Sequence, residues 1–539
     1  MKAQLLLLCI ALLGIQAKSQ FTETTRFVTT DRTANSELGI DVNLDGNFVI
    51  SGAYRNSFDA NGANPIDEAG AAYIFENNGS GTWTQVQKLV ANDRELFAAF
   101  GISTAISGNY AVVGAQLEDK DENGANPINN AGAAYIFERD GSGTWVEVQK
   151  IVSSTRVAAG SFGISVKIEG NTILVGSHFD ATDEDGNNSL PQAGAVFVFE
   201  RDGSGTWIET QKIVASDRGS GDNFGIDVAM DGDFAVIGAY FDSQDAMGAS
   251  VSASGTAYVF ERDGSGNWNQ VQKIVGSDRT MNDRYGEDVA IQGDILAIGA
   301  RLYDLDSAGG NPVTDAGAVY MYVQDGSGVW NEVKKIVAGD RAETDVFGFS
   351  VSVDNGYVAV GARLNDFDAS GGNFLPNAGA AYLFEQSTGG SNNWGEIQKI
   401  VTSDRSIEDR FAHELVLKNG RLISGSPFQD QDPSGNNDVT NAGMLYVFED
   451  PNLSVLDQEN EITLSAFPNP FLEYVTIALG GEPETGKVRV TDMLGHLVYT
   501  STFHNTNYIQ LPLEVATGMY IAKLTTARGD IATIKLAKQ

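Results

Sequence analysis

Short apolar runs recur along most of the chain, separated by Gly, Asn and Asp. Between residues 100 and 156 the pattern predicts four strands, Ile102–Ile106, Tyr110–Gly114, Ala133–Phe137 and Trp145–Val152. Each is rich in β-branched, aromatic or small apolar residues and is bounded by turn formers. In the third run, alternation places Tyr135 and Phe137 on one face and Ala134 and Ile136 on the other. The same aromatic pair returns as Tyr73/Phe75, Phe197/Phe199, Tyr258/Phe260, Tyr320/Tyr322, Tyr382/Phe384 and Tyr446/Phe448.

The unit repeats. Its leading glycine is Gly39, Gly101, Gly163, Gly225, Gly286 and Gly348, with Ala412 in the last copy, at steps of 62, 62, 62, 61, 62 and 64 residues. So regular a period identifies a repeat architecture. A four-stranded unit predicts an all-β chain built as a β-propeller; the coils of a β-solenoid, the alternative, are shorter. The seventh copy stops after its third strand, at Asp450. Laid on WVEVQKIVSSTR, the segment FTETTRFVTTDR puts Phe21 in the Trp slot and Arg32 in the Arg slot. The expectation is a seven-bladed ring over residues 20–450, closed by its own N-terminal strand so that few edges stay exposed.

Residues 1–19 combine a Lys, an apolar run and a small-residue exit, which reads as a secretory signal peptide cleaved between Ala17 and Phe21. The run is too short to span a bilayer comfortably, so the mature chain is expected to carry no transmembrane segment. Cys9 is the single cysteine, and the mature protein would have no thiol or disulfide. A net charge of −36 argues against a nucleic-acid partner, which needs a basic surface. An acidic surface favours solubility and can gather divalent cations.

Three polar or aromatic positions repeat. All six Trp (Trp83, Trp145, Trp207, Trp268, Trp330, Trp394) share one slot, as packing anchors or as sugar-stacking platforms. An Asp follows the second strand in every copy, at Asp59, Asp121, Asp183, Asp245, Asp306, Asp368 and Asp432, with a Gly three residues later. Asp and Gly so spaced make type I turns. In the two ligand-rich copies they also look like the start of a calcium loop, with Asp119, Asp121 and Asn123, and Asp180, Asp183 and Asp185, as candidate metal ligands. An Arg stands seven residues before each leading glycine position, at Arg32, Arg94, Arg156, Arg218, Arg279, Arg341 and Arg405. It could bind an anion, line a pore, or pin a connection to carbonyls or carboxylates. No catalytic or cofactor-binding residue is assigned. His178 and His413 occupy non-equivalent positions, and no asymmetric polar cluster that breaks the repeat is evident.

The Phe100-Gly101 and Val113-Gly114-Ala115 elements resemble the FG-GAP repeat known from the integrin α-chain propeller, across all seven units. The resemblance is to the bacterial version, with a short turn such as Ile106-Ser-Gly-Asn109. The Asp-rich loop that binds calcium in integrin repeats has no counterpart before the Val-Gly-Ala strand, so that site does not carry over. After Asp450 comes a polar linker, residues 451–461, and then strand-like segments with the landmarks Phe467-Pro-Asn-Pro-Phe471, Val490-Thr-Asp-Met-Leu-Gly495, Gly518-Met-Tyr-Ile-Ala-Lys523 and Lys535-Leu-Ala-Lys538. Residues 462–539 resemble the C-terminal sorting domain of the type IX secretion system. This implies a small β-sandwich read by that machinery, and release from, or attachment to, the outer-membrane surface of a Gram-negative bacterium. The sequence therefore points to a secreted or surface propeller that binds an extracellular protein or glycan without catalysis. A propeller hydrolase or a structural scaffold is the alternative, since fold alone does not decide function.

Overall fold

The repeat at 100–156 forms one antiparallel sheet. Its strands, Phe100–Ser107, Tyr110–Ala115, Ala133–Arg139 and Trp145–Ile151, are hydrogen-bonded in that order. The computed structural model describes residues 20–450, 464–479, 484–492, 497–513, 515–526 and 531–538. The signal peptide assigned to 1–19 and the linker assigned to 451–461 lie outside the described residues. The chain divides into two compact units, Met1–Val455 and Leu456–Gln539.

In the first unit seven four-stranded sheets follow one another, here blades 1 to 7. Blades 1 to 6 take their strands from consecutive sequence. Blade 7 takes Leu415–Lys418, Arg421–Ser426 and Met444–Glu449 from the end of the repeats and its outermost strand, Thr22–Phe27, from the beginning.

Both faces of each sheet are covered, which explains why the third strand alternates aromatic with aliphatic rather than apolar with polar. Tyr135 and Phe137 pack with Phe100 and Trp145 against Ile50, Ala72 and Ile74 of blade 1. Ala134 and Ile136 pack against Phe162, Phe197 and Trp207 of blade 3. The interface that closes the ring joins Phe27, Ile423, Leu445 and Val447 of blade 7 to Val42, Tyr73 and Trp83 of blade 1.

The repeated glycines meet across these interfaces. A Cβ added to Gly114 would lie 2.0 Å from the carbonyl oxygen of Gly163 in blade 3, and Gly163 has a φ of +91° that L side chains avoid. Gly425 of blade 7 meets the Gly39 carbonyl oxygen at the same 2.0 Å. A parallel bridge pairs Phe100 with Gly70, and its counterpart at the closure pairs Leu38 with Gly443.

The second unit is a β-sandwich. A three-stranded sheet (Leu464–Phe467, Tyr474–Leu479, Tyr508–Pro512) shares a core with a four-stranded sheet (Glu484–Asp492, Leu497–Thr506, Gly518–Thr526, Ile531–Lys538). Val475, Ile477, Val488, Val490, Leu524 and Leu536 fill that core. Among the described residues no helix is long and apolar enough to cross a membrane.

Candidate functional site

The acidic loops are self-contained turns. Asp121 Oδ1 accepts the backbone N–H groups of Asn123 at 3.0 Å and Ala125 at 2.8 Å, and Oδ2 accepts the Asn126 side-chain amide at 2.6 Å. The Gly124 N–H returns to the Asp121 carbonyl at 3.0 Å. Asn126, at a φ of +44°, offers its own carbonyl to Arg156 Nη1 at 2.9 Å. The other Arg156 Nη bonds the Asp119 carbonyl. The repeated Arg therefore pins the loop of its own blade through main-chain carbonyls, as a guanidinium fork does well, and Arg32 does the same for blade 7. The Asn column (Asn64, Asn126, Asn188, Asn311, Asn373, Asn437) gains meaning only once its carboxylate partner is seen. Blade 4 has Ser250 there, and Arg279 bonds Asp245 Oδ2 directly at 2.9 Å.

The six candidate calcium ligands have separate roles. Asp121 and Asp183 hold turns, and the N–H groups they accept keep their carboxyls below the usual range. Asp119 accepts the Asn130 N–H at 2.6 Å. Asn123 donates to Glu122, and Asp185 offers its carbonyl to the Asn187 amide. Asp180 is buried and accepts Lys212 Nζ at 3.1 Å and the Thr182 N–H at 2.7 Å. The oxygens do not converge, so the donor set does not fit a hard cation that wants six or more of them. Among the described residues no group of three or more His, Cys, Asp or Glu side chains is arranged to hold a metal.

The Trp residues are buried anchors, which leaves none as a sugar platform. Gln87 of blade 1 clamps the Trp145 main chain of blade 2, donating to its carbonyl at 2.6 Å and accepting its N–H at 2.8 Å. Gln398 clamps Phe21 in the same way, at 2.7 and 2.8 Å, which places Phe21 in the Trp slot.

A buried ammonium sits at the joint between blades. Lys150 bonds Asp93 at 2.7 Å and Glu118 at 2.9 Å, while the Tyr135 hydroxyl donates to Asp93 at 2.9 Å. Burial outweighs the pull of Lys150 and pushes Glu118 up to about 7. Blade 3 departs twice, with Phe197 for the Tyr and Thr155 for the Asp. These are one change: without a phenol, no carboxylate is needed opposite, and Lys212 turns to Thr155, Asp180 and Thr182.

The innermost strands surround a cavity of about 490 Å³. The position two residues after the leading glycine lines this channel in six of the blades, as Asp41, Ser103, Ser165, Asp227, Asp288 and Glu414; Ser350 is its counterpart in blade 6. The serines donate to the next blade, Ser103 Oγ to the Gly163 carbonyl at 2.8 Å and Ser350 Oγ to that of Ala412 at 3.2 Å. The acids accept from it: Asp227 takes the Val289 N–H at 2.9 Å, and Asp41 takes the N–H and hydroxyl of Thr104. Burial pushes Asp227 up to about 6, against the charge of Lys167. Burial, reinforced by neighbouring acids, raises Asp288 and Glu414 well above the usual carboxylate range. An asymmetric polar cluster thus does break the repeat, contrary to the sequence expectation. Its signal was a single column, visible as a site only once the ring makes distant positions converge.

The two histidines stay apart. Burial pushes His178 down to about 4, and its Nδ1 has no partner. His413 lies by the channel, where burial and the charges of Arg363 and Arg410 hold it well below the usual range. Neutral His413 Nε2 accepts from Arg363 Nη1 at 2.7 Å. Among the described residues neither ring bonds a hydroxyl nucleophile.

The FG-GAP repeat family matches residues 83–137, 145–199, 207–260, 268–322 and 330–384, about half of the chain. Each matched segment runs from the outer strand of one blade to the third strand of the next, so the sequence unit is offset from the sheet by one strand, the offset that Thr22–Phe27 completes. A secretion system C-terminal sorting domain matches residues 465–539. No curated protein matches the chain at a significant level. With its repeats stacked through paired glycines and its end matched to a type IX sorting tail, the chain belongs to the FG-GAP repeat family.

Proposed function

We propose that this protein is a non-enzymatic recognition module that binds an extracellular protein or glycan, with its sorting domain delivering it to the type IX machinery. The observation that carries this reading is where the repeat fails. Loops, clamps and ammonium joints recur around the ring, whereas the pairs beside the channel-lining residues Glu287, Phe349 and His413 do not: Arg301 bonds Glu287, and Arg363 bonds His413 and stacks on Phe349. Symmetry suffices for stability, so a departure gathered beside the channel favours that region as the one that meets a partner. The channel acids Asp41 and Asp227 are committed to inter-blade N–H groups, which favours a structural role for them. A hydrolase is the second reading, because carboxyls as strongly perturbed as Asp288 and Glu414 also occur at catalytic sites.

A glycan and protein array probed with the mature protein, run beside a panel of chromogenic glycoside and ester substrates, tests the proposal. Saturable binding without turnover is expected. Turnover that disappears in Asp288→Asn or Glu414→Gln would overturn it in favour of the hydrolase.

A further inference from the structure

The chain carries 71 acidic against 35 basic residues, yet four arginines of blades 5, 6 and 7 gather beside the channel, where Arg301 bonds the lining residue Glu287 and Arg363 touches the lining residues Phe349 and His413. Arg284 and Arg301 belong to blade 5, Arg363 to blade 6 and Arg410 to blade 7. Arg301 acts electrostatically on both Arg284 and Arg363, and Arg410 acts on Arg363, so the four form one patch.

Two of the four have carboxylate partners: Arg301 pairs with Glu287 at 2.5 Å and Arg410 with Glu408 at 3.1 Å. Arg284 and Arg363 form no ion pair among the described residues: Glu287 acts on both at longer range but is bonded to Arg301. Each instead lies flat on an aromatic ring, Arg284 Cζ 3.6 Å from the Phe241 centroid and Arg363 Cζ 3.6 Å from that of Phe349. The Nε of each is buried without a hydrogen-bond partner. Gathering like charges and half-burying them with one shared carboxylate costs free energy, and burial with the neighbouring arginines, against the pull of Glu287, lowers Arg363 to about 10. The bond to His413, together with the Phe349 ring beneath, fixes the Arg363 fork before any ligand arrives. With Nε buried and Arg363 Nη1 bonded to His413, the remaining Nη N–H groups of each stacked guanidinium are left for an oxyanion, and pre-ordering lowers the entropic cost of capture.

The wall below has a different character. Along Tyr285–Gln292 the chain passes from Glu287 to Asp288, with Asp227, Glu414 and Lys167 across the channel. Carboxyls and serines are partners for hydroxyl groups, not for apolar side chains.

We propose that this opening binds an acidic saccharide: Arg284 and Arg363 take a carboxylate or sulfate oxyanion, and the channel acids below take sugar hydroxyls. The proposal rests on the recognition reading above and narrows its ligand.

Calorimetric titration of the full-length mature protein tests it, with a galacturonate trisaccharide, a sulfated disaccharide, maltotriose, an oligo-glutamate peptide and sodium sulfate as probes. At least one acidic saccharide should bind, more weakly as salt rises, and maltotriose should not. Loss of a charge-assisted bond costs on the order of ten-fold in affinity or more, so Arg363→Gln and Arg284→Gln should each weaken binding by about that factor. Arg363→Lys, which keeps the charge but not the fork, should also weaken it, and this variant guards against simple unfolding. Arg139→Gln, at the end of the third strand of blade 2, should leave affinity unchanged. Acidic saccharides that fail to bind, or bind the arginine variants as tightly as the parent, overturn the proposal. Sulfate or the peptide binding as tightly as the saccharides overturns the saccharide assignment. A neutral glycan or protein bound equally by parent and Arg363→Gln overturns this proposal and leaves the recognition role standing.

Discussion

Truncating Phe21 to Ala tests the closure of the ring. Phe21 is 2% exposed and packs in the core between blades 6 and 7 with Ile400, Phe411, Leu417 and Phe448. Gln398 holds only its main chain, so the substitution removes packing and leaves the clamp. Buried Phe to Ala costs about 3–5 kcal/mol. Unfolding entropy is about 2.1 cal/mol/K per residue, or roughly 0.9 kcal/mol/K for a cooperative ring of about 430 residues. The melting temperature should therefore fall by about 3–6 °C. Val146→Ala is the control: the side chain sits on an outer strand, is 46% exposed, and its loss should move the midpoint by less than about 1 °C. Deleting residues 20–32 goes further. It removes Phe21 and Phe27, the bond that the Ser403 N–H donates to Glu23 at 2.8 Å and both Arg32 bonds, and leaves the edge of Met444–Glu449 unpaired. That variant should aggregate, because an open edge recruits another chain. Scanning calorimetry with size-exclusion chromatography reads both effects. A Phe21→Ala midpoint equal to that of Val146→Ala, or a deletion variant that melts like the parent, would refute the closure.

Stability should peak at mildly acidic pH. Glu118 and Asp409 rise to about 7 and Asp227 to about 6 on folding, chiefly through burial, so the folded chain keeps protons that the unfolded chain releases; this contribution is full below the ordinary carboxyl range and is lost as pH rises through 6 to 7. The loop acids such as Asp59 and Asp121 are lowered by accepted N–H groups, and their contribution, present above the ordinary value, is lost as pH falls through their lowered values. Melting curves across pH should decline from about pH 5 to about pH 8, less steeply in Glu118→Gln; a midpoint flat or rising over that range contradicts the assignment. Calcium added to chelator-treated protein should leave the midpoint unchanged, and Asp121→Asn should lower it equally with and without calcium; a calcium-dependent rise that vanishes in Asp121→Asn and Asp183→Asn would restore the metal reading. Removing residues from Ala466 onward should leave the propeller folded and trapped in the periplasm of the native host, and efficient export of the truncated chain would contradict the sorting role.

Much of the ring was legible in the chain alone. The period, the four strands, the aromatic–aliphatic alternation and Phe21 in the Trp slot are local patterns, and each blade meets the same neighbour, so one interface repeated predicts the rest. The paired glycines were legible as landmarks, but their reason, a carbonyl 2.0 Å from any added Cβ, lies in the next blade. The roles of polar residues were less legible. Asp121 as turn or metal ligand, Trp145 as anchor or platform, and Arg156 as pin or anion site are alternatives that the same letters permit. The tertiary structure decided them by what it placed opposite: the amides of Ala125 and Asn126, the Gln87 clamp and the Asn126 carbonyl. The channel acids and the arginine opening were hidden for the same reason. Asp41, Asp227 and Glu414 are far apart in sequence, and only closure of the ring brings them to one axis, where lost hydration and mutual repulsion give them properties that none has alone.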